Sequence, residues 1–425
     1  MKRKSIWIAV ISSVVTVCAT LLVMNIVTGE KKIERQLERR YATDDLQFAR
    51  SMSALLGPPM LDGNSVQVLV NGDRIFPAML AAIRQAERTI TFETYIYWSE
   101  TIGTEFADAL SERARAGVKV HVLLDWIGSV KMEQRYLDEM KRAGVQIERY
   151  HEPHWSHLGR LNNRTHRKVL VIDGRIGFTG GVGIADKWRG DARDPSQWRD
   201  THFRIEGPVV AQMQAVFMDN WIKAQGKVLH DELYFPALER RGAMAAQMFS
   251  SSPSGGSESM QLMYLMAITA ARSTIDLSSA YFVPDSLTTA ALVASAQRGV
   301  KIRIITPGEH IDTEIVRSAS RAGWGELLQA GIEISEFAPT MYHCKVLVVD
   351  ALLVSAGSTN FDNRSFRLND EANLNVLDAA FAKEQIAIFD ADWQRSRPVT
   401  YDQWLQRPWQ EKLLERVAAL LKTQL

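Results

Sequence analysis

The sequence predicts an α/β protein built from two copies of one domain-sized unit, preceded by a single N-terminal transmembrane helix. Three observations predict it. Apolar stretches with the two-residue period of a strand alternate with stretches of helical period through most of the 425 residues, the pattern of a sheet with parallel strands and helices packed on it. Several of these stretches return later in the chain in the same order, and a repeat this long marks duplicated domains and not a solenoid. Near the start an uncharged run of 23 residues, Ile6 to Thr28, follows Lys2, Arg3 and Lys4.

At 1.5 Å per residue that run would span roughly 34 Å as a helix, enough for a bilayer core with some tilt. A cleaved signal peptide is the competing reading, but the run exceeds the usual apolar region and no A-x-A-like site closes it. An uncleaved anchor over 6–28 is therefore expected. Its orientation stays open, because Lys31, Lys32, Arg35, Arg39 and Arg40 follow the run as basic residues precede it. Residues 29–59 read as a charged juxtamembrane segment.

The first lobe is expected over 60–249. Val66 to Val70 reads as a strand, Phe76 to Ala86 as a helix and Thr89 to Tyr97 as a strand; Phe106 to Ala116 reads as a helix closed by Gly117, and Val118 to Leu124 as a strand. The second lobe, over 250–395, repeats this. Arg272 to Phe282 parallels Arg88 to Trp98, ARAGVKVHVLL from Ala114 is matched by AQRGVKIRIIT from Ala296, and KRAGVQIERY from Lys141 by LQAGIEISEF from Leu328. The Ser- and Gly-rich stretch Ser250 to Ser259 is the expected seam, with a short active-site loop as its other reading. In the tail, 396–425, Trp409, Leu413, Val417, Leu420 and Leu421 share one helical face, suited to core packing or to a bilayer interface.

Charge and cysteine usage remove some functions. The 50 Lys and Arg offset 49 Asp and Glu for a net charge of +1, so no bulk potential draws nucleic acid. Cys18 and Cys344 have no spacing that suggests a disulfide framework or a zinc site.

The chemistry sits in a repeated motif. In H-C-K-V-L-V-V-D, His343 and Lys345 flank Cys344, so an extended chain points both to one face, and Asp350 closes the run. Gly357 and Ser358 follow, a turn where backbone can approach a ligand closely, and then Asn360. The first half carries H-R-K-V-L-V-I-D, with His166, Lys168 and Asp173 and then Gly180 and Gly181, each offset by 177 residues from its counterpart, and the histidine, lysine and aspartate of both motifs are read as the catalytic set. One copy could be structural. Two copies in duplicated halves would converge where the halves meet, placing two imidazoles and two ammonium groups around a phosphodiester. One neutral histidine can attack phosphorus while the other, protonated, gives its proton to the leaving oxygen; an alcohol or water then reverses the roles. The lysines and Asn360 would stabilise the equatorial oxygens, and no metal or cofactor is needed. Asp200, in W-R-D-T-H, and Glu371, in N-D-E-A-N, are candidates to fix the imidazole tautomers, with ordinary salt bridges as their other reading.

The paired H-x-K-x-x-x-x-D motifs, with T-G-G-V-G-I-A-D behind the first and G-S-T-N-F-D-N-R-S-F behind the second, resemble the phospholipase D superfamily. NNRTHRKVLVIDG, WRDTHFRIEGP, AYFVPD and NRSFRLNDEANL resemble its bacterial cardiolipin synthase branch in detail, over residues 60 to 410. The resemblance implies two phospholipase D-like lobes around a pseudo-twofold active site. It also implies a phosphohistidine intermediate, with His166 as nucleophile, His343 as acid and base, and the carboxylates acting crosswise, Glu371 on His166 and Asp200 on His343. The reaction implied is phosphatidyl transfer between phospholipids, phosphatidylglycerol and either a second phosphatidylglycerol or phosphatidylethanolamine, by a single-pass protein of the bacterial inner membrane. One departure stands out: where the family has asparagine in G-G-x-N, this chain has Gly183.

Hydrolysis by water, giving a phospholipase D or a membrane-tethered nuclease, is the main alternative, and a non-enzymatic scaffold a third. His151, His154 and His157 invite a metal reading that Pro153 and the lack of a cysteine cluster weaken. Met260, Met263 and Met266 fit a core stripe better than a lipid-contacting one. Trp98, Trp126, Trp155 and Trp188 are open between lipid-facing and interior positions. Oligomeric state is not legible.

Overall fold

The computed structural model describes residues 2–26, 33–152, 162–253, 258–422 and 424. The first lobe contains β1 (Leu61–Val70), β2 (Thr89–Thr94), β3 (Lys119–Asp125), β4 (Gln146–Tyr150), the two-residue β5 (Arg164–Thr165), β6 (Val169–Ile172), β7 (Ile176–Gly180) and β8 (Thr201–Glu206). The second contains β9 (Met244–Ser251), β10 (Thr274–Ser279), β11 (Phe282–Val283), β12 (Lys301–Pro307), β13 (Glu333–Phe337), β14 (Lys345–Val349), β15 (Leu353–Gly357), β16 (Phe361–Asp362), β17 (Asn369–Leu377) and β18 (Ser396–Val399). The strand order is β18-β13-β12-β10-β14-β15-β17-β9-β1-β8-β7-β6-β2-β3-β4. Apart from the edge strand β18, that order is a palindrome about the antiparallel β9–β1 pair. The duplication therefore appears as one continuous sheet with a pseudo-twofold axis at its centre.

Helices cover both faces. α1 (Lys2–Ile26) and α2 (Leu46–Leu56) precede the first lobe; α3 (Gly72–Arg84), α4 (Thr101–Arg115), α5 (Gln134–Arg142) and α6 (Val210–Gln225) belong to it. The second lobe adds α7 (Glu258–Ala270), α8 (Ser286–Gln297), α9 (Glu314–Ala322), α10 (Trp324–Gln329), α11 (Asn363–Arg367), α12 (Ala379–Trp393), α13 (Tyr401–Gln406) and α14 (Trp409–Ala419). Each lobe has its own core on one face, α3 to α5 over the first sheet and α7, α8 and α10 over the second. On the other face Val210 and Met213 of α6 share one cluster with Phe381 and Ala382 of α12. The two lobes thus fold around common apolar ground.

Local sequence explains the central strands. Val169 to Ile172 and Val346 to Val349 are buried throughout, as unbroken apolar runs with covered faces must be. Met260, Met263 and Met266 are buried in the second core, beside Phe48 and Met52 of α2. The motif aspartates serve this scaffold. Asp173 accepts the backbone N–H groups of Glu87, Arg88 and Thr89, and Asp350 those of Arg272, Ser273 and Thr274, at the ends of β6 and β14 remote from the histidines. The expectation that these carboxylates join the histidines and lysines does not match their positions. A four- to five-residue strand separates the two ends of each motif, and its rise of about 3.3 Å per residue carries the aspartate away.

Other expectations also change. The second lobe runs past residue 395, because Ser396–Val399 forms the edge strand β18 on β13; Pro398 within it hid the strand signal, and an edge tolerates it. Trp188 is 1% exposed and faces no lipid. Residues 27–28 of the expected anchor, 254–257 of the seam, and His154, Trp155 and His157 lie outside the described residues. Among the described residues there is no group of metal-ligating side chains and no helix long and apolar enough to cross a membrane, so an anchor over 6–28 rests on the sequence.

Asp350→Ala removes the acceptor for three backbone N–H groups and the Thr43 and Ser273 hydroxyls. It should cost about 2 to 3 kcal/mol and lower the Tm in thermal denaturation by several degrees. An unchanged Tm would show that these groups find other partners at no cost.

Candidate active site

Each motif histidine is held by the opposite lobe, through backbone and side chain together. β5 runs parallel to the start of β17, pairing Arg164 with Asn369 and Thr165 with Asp370, and the pseudo-symmetric bridge pairs Tyr342 with Arg199. The His166 backbone N–H donates to the Asp370 carbonyl at 2.9 Å and that of His343 to the Arg199 carbonyl at 2.8 Å. The residue after each of those carbonyls is a carboxylate. Glu371 therefore meets His166 Nδ1 at 2.9 Å, and Asp200 meets His343 Nδ1 at 2.7 Å. Since an ionised carboxylate can only accept, each Nδ1 carries the proton and each Nε2 keeps its lone pair.

The lysines complete the pair. Lys168 Nζ donates to the His166 carbonyl and Lys345 Nζ to the His343 carbonyl, each at 2.7 Å, so each ammonium folds back beside its own histidine. Lys345 Nζ also lies 3.2 Å from His343 Nε2. All four groups are buried, and their acidities shift accordingly. Burial pushes His166 down to about 4, with Glu371 resisting, and His343 well below its ordinary value, with Lys345 adding to the effect. Burial also pushes Lys168 down to about 7, again against the pull of Glu371. The site has the composition of an anion receptor with two neutral imidazoles and two crowded ammonium groups.

The glycines make room beside the carboxylates. A Cβ at Gly180 would stand 2.6 Å from the Thr201 carbonyl oxygen, and one at Gly357 2.2 Å from that of Ala372; both positions let β7 and β15 close onto the strands that carry the acids. Gly181 leaves room for Asp200, whose Oδ1 lies 2.1 Å from where its Cβ would be. Its counterpart Ser358 instead donates its hydroxyl to Glu371. Gly183 makes room of another kind. A Cβ there would be 2.8 Å from the Ile96 Cβ and 3.2 Å from the Trp188 ring, and Trp188 Nε1 donates to Asp200 Oδ2 at 2.9 Å. An indole serves the first half in the region where the usual motif has an amide.

The structure brings His166, Lys168, Asp200, Gly180 and Gly181 together with His343, Lys345, Gly357, Ser358 and Glu371, and leaves Asp173 and Asp350 outside. Asn360 is buried behind Ser358, with its Oδ1 unbonded and its backbone N–H on Ser365 Oγ. Sequence reading missed several supports. Trp188 and Trp198 both pack on the His343 ring, at 5.3 Å between centroids, and Tyr95 packs edge-on against His166 at 5.2 Å. Asp125 accepts the Thr165 backbone N–H, and Glu93 accepts from the Thr165 hydroxyl and from Asn220, fixing the approach to His166. None stands in the H-x-K motif itself, so the spacing that marked the histidines and lysines did not mark them.

The buried neutral imidazole makes stability pH-dependent. An unfolded histidine takes its proton near 6.5, while folded His166 takes it only near 4, so between those values the unfolded chain binds more protons and acidification favours it. The His166 contribution is complete above about pH 6.5 and is lost progressively down to about pH 4. The Tm difference between the wild type and His166→Gln, which cancels the carboxyl groups common to both, should therefore shift against the wild type over that window. A difference independent of pH would refute a neutral buried His166.

Comparison with known proteins agrees with this geometry. Residues 79–221 and 264–393 match the family model described as cardiolipin synthase, PLD-like domain, one segment per lobe. A cardiolipin synthase of Geobacillus kaustophilus is 35% identical over 366 residues, 85% of this chain and 73% of that protein; cardiolipin synthase A of Pseudomonas fluorescens is 35% identical over 373 residues, 88% and 77%. The solved structure of phosphatidylserine synthase from Haemophilus influenzae matches with a TM-score of 0.68 at 14% identity, over 89% of this chain and 100% of that one, a likeness of fold. With two matching segments, two crosswise histidine–carboxylate pairs and relatives aligned along most of its length, the chain belongs to the cardiolipin synthase family of phospholipase D-like enzymes.

Proposed function

We propose that the protein is a phosphatidyltransferase that makes cardiolipin from phosphatidylglycerol and a second phospholipid, through a phosphohistidine intermediate. The observation that carries this reading is the pair of carboxylate-bound Nδ1 atoms, which leaves two Nε2 atoms available in one buried site beside two ammonium groups. The His166 Nε2 lone pair attacks phosphorus, the bond to the head-group oxygen breaks, and protonated His343 gives that oxygen its proton. His343 Nε2 then takes the proton of an incoming glycerol hydroxyl, whose oxygen attacks phosphorus and releases His166. Lys168, Lys345 and Asn360 stabilise the equatorial oxygens. The assignment of His166 as nucleophile follows the resemblance. Both histidines are neutral in the empty site; an arriving phosphodiester anion offsets the ammonium charges and favours protonation of one imidazole.

The lobes proposed are 60–249 and 250–395, with their shared boundary moved to before β9 (Met244–Ser251) and the second extended by β18. Membrane attachment through 6–28 is proposed on the uncharged 23-residue run, whose large apolar side chains from Ile6 to Val17 are exposed among the described residues. A protein with a lipid substrate and such a segment is expected in the bacterial inner membrane.

Incubation of purified protein with labelled phosphatidylglycerol, with and without phosphatidylethanolamine, should give cardiolipin; phosphatidic acid as the sole product would replace transfer by hydrolysis. His166→Ala and His343→Ala should each lower product formation by at least about 10³-fold. Full activity in either would end the two-histidine mechanism. Gly183→Asn should lower turnover by about tenfold to a hundredfold, because its side chain displaces Trp188 from Asp200. Turnover equal to the wild type would show that the indole contributes nothing.

A further inference from the structure

The terminal helix α14 is inside out for a helix of a globular domain. An amphipathic helix normally buries its apolar stripe, yet Trp409 is 70% exposed and Leu420 80%, with Leu413, Leu414 and Val417 also in the open. The face turned inward carries Glu415, 4% exposed, and Ala418. Glu415 is fixed there by Arg407, at 2.6 Å, and by Arg321, at 3.4 Å, while Ala418 packs with Val283, Val316 and Ala319. The orientation is therefore held by buried ion pairs and cannot be reversed by a simple roll of the helix.

Two further observations identify what covers the exposed face. Of the charged residues exposed on the helix and just after it, Glu411 is paired with Arg321 at 3.7 Å, and the other two, Arg416 and Lys422, are basic, which suits an anionic surface. The segment after the helix is also tied to the rim of the histidine site. Asn363 Nδ2 donates to the Lys422 carbonyl at 3.1 Å, Asn162 Nδ2 to Gln424 Oε1 at 2.9 Å, and Arg364 Nη1 to the Gln424 carbonyl at 3.3 Å. Asn162 lies just before His166 in the chain, and Asn363 and Arg364 just after Asn360. We propose that the exposed face of α14 seats in the headgroup region of an anionic bilayer and so holds the rim of the histidine site at the lipid surface. The choice of a bilayer as occupant rests on the lipid-transfer reading of that site; the inverted helix stands without it.

The test uses the full chain in phosphatidylglycerol vesicles. With Cys18→Ser and Leu413→Cys, the other cysteine, Cys344, is buried, so an environment-sensitive dye attaches at 413. The dye should shift to shorter emission wavelength and be quenched by lipids with a nitroxide near the headgroup. A dye that stays in water and unquenched overturns the proposal, and so does a second copy of the chain covering this face, seen as a dimer that the combined Leu413→Glu, Val417→Glu and Leu420→Glu substitutions dissociate. That triple variant should turn over phosphatidylglycerol in vesicles about tenfold more slowly and short-chain phosphatidylglycerol, monomeric in solution, less than twofold more slowly; equal slowing of both would refute a docking role. A quenched dye in a protein with no transferase activity would uphold the docking and reject the proposed reaction.

Discussion

Everything in the site depends on the chain of one lobe reaching across to pair with the other. At each of two symmetric places a short stretch of extended backbone delivers a histidine N–H to a carbonyl, and the next residue delivers a carboxylate to the same histidine's Nδ1. Backbone and side chain fix one imidazole at two points. Because both points lie in the opposite lobe, each half supplies the partners that orient the other's histidine, and the site is complete only when the continuous sheet has closed at β1 and β9. The common apolar cluster under α6 and α12 makes that closure cooperative.

Burial gives the arrangement its reactivity. Two ammonium groups and two carboxylates enclosed together balance each other if the histidines stay neutral, which is what burial enforces. A neutral imidazole with Nδ1 bound is a nucleophile at Nε2 from the start. In the proposed reaction an anion entering between the lysines changes which protonation state costs least, so ligand binding readies the acid.

Duplication produced equivalent positions, and the differences between them are where each half has specialised. Glu371 takes a hydroxyl from Ser358, whereas the shorter Asp200 sits against Gly181 and takes an indole N–H from Trp188. Burial raises Asp200, while His166, Lys168 and Ser358 overcome burial to hold Glu371 below its ordinary value. Between the motif histidine and lysine, one half has Arg167, buried and paired with Asp219, and the other has Cys344, buried beside Arg199 and Thr201. Two histidines that must hold different protonation states in turn thus have different surroundings built from homologous positions.

Sequence by itself marked the duplication, the alternation of strands and helices, and the two histidine–lysine pairs, because an offset of 177 residues repeats through both motifs; Asp200 and Glu371 do not share that offset and stood only as candidates downstream of them. It could not assign Asp173 and Asp350. Six residues of extended chain separate each from its lysine's histidine partner side, and which end of a strand faces the site is a property of the packed sheet. It left Trp188 open between lipid and interior and did not single out Trp198, Tyr95 or Asp125 as supports, because the first two act by packing on a histidine ring and the third by holding the Thr165 backbone. The periodicity of 409–421 marked an apolar face, but periodicity says only which side chains share a side. Buried Glu415 and its two arginines decided that this side points outward, since rolling the helix would leave the buried guanidinium of Arg407 without the carboxylate that pairs it.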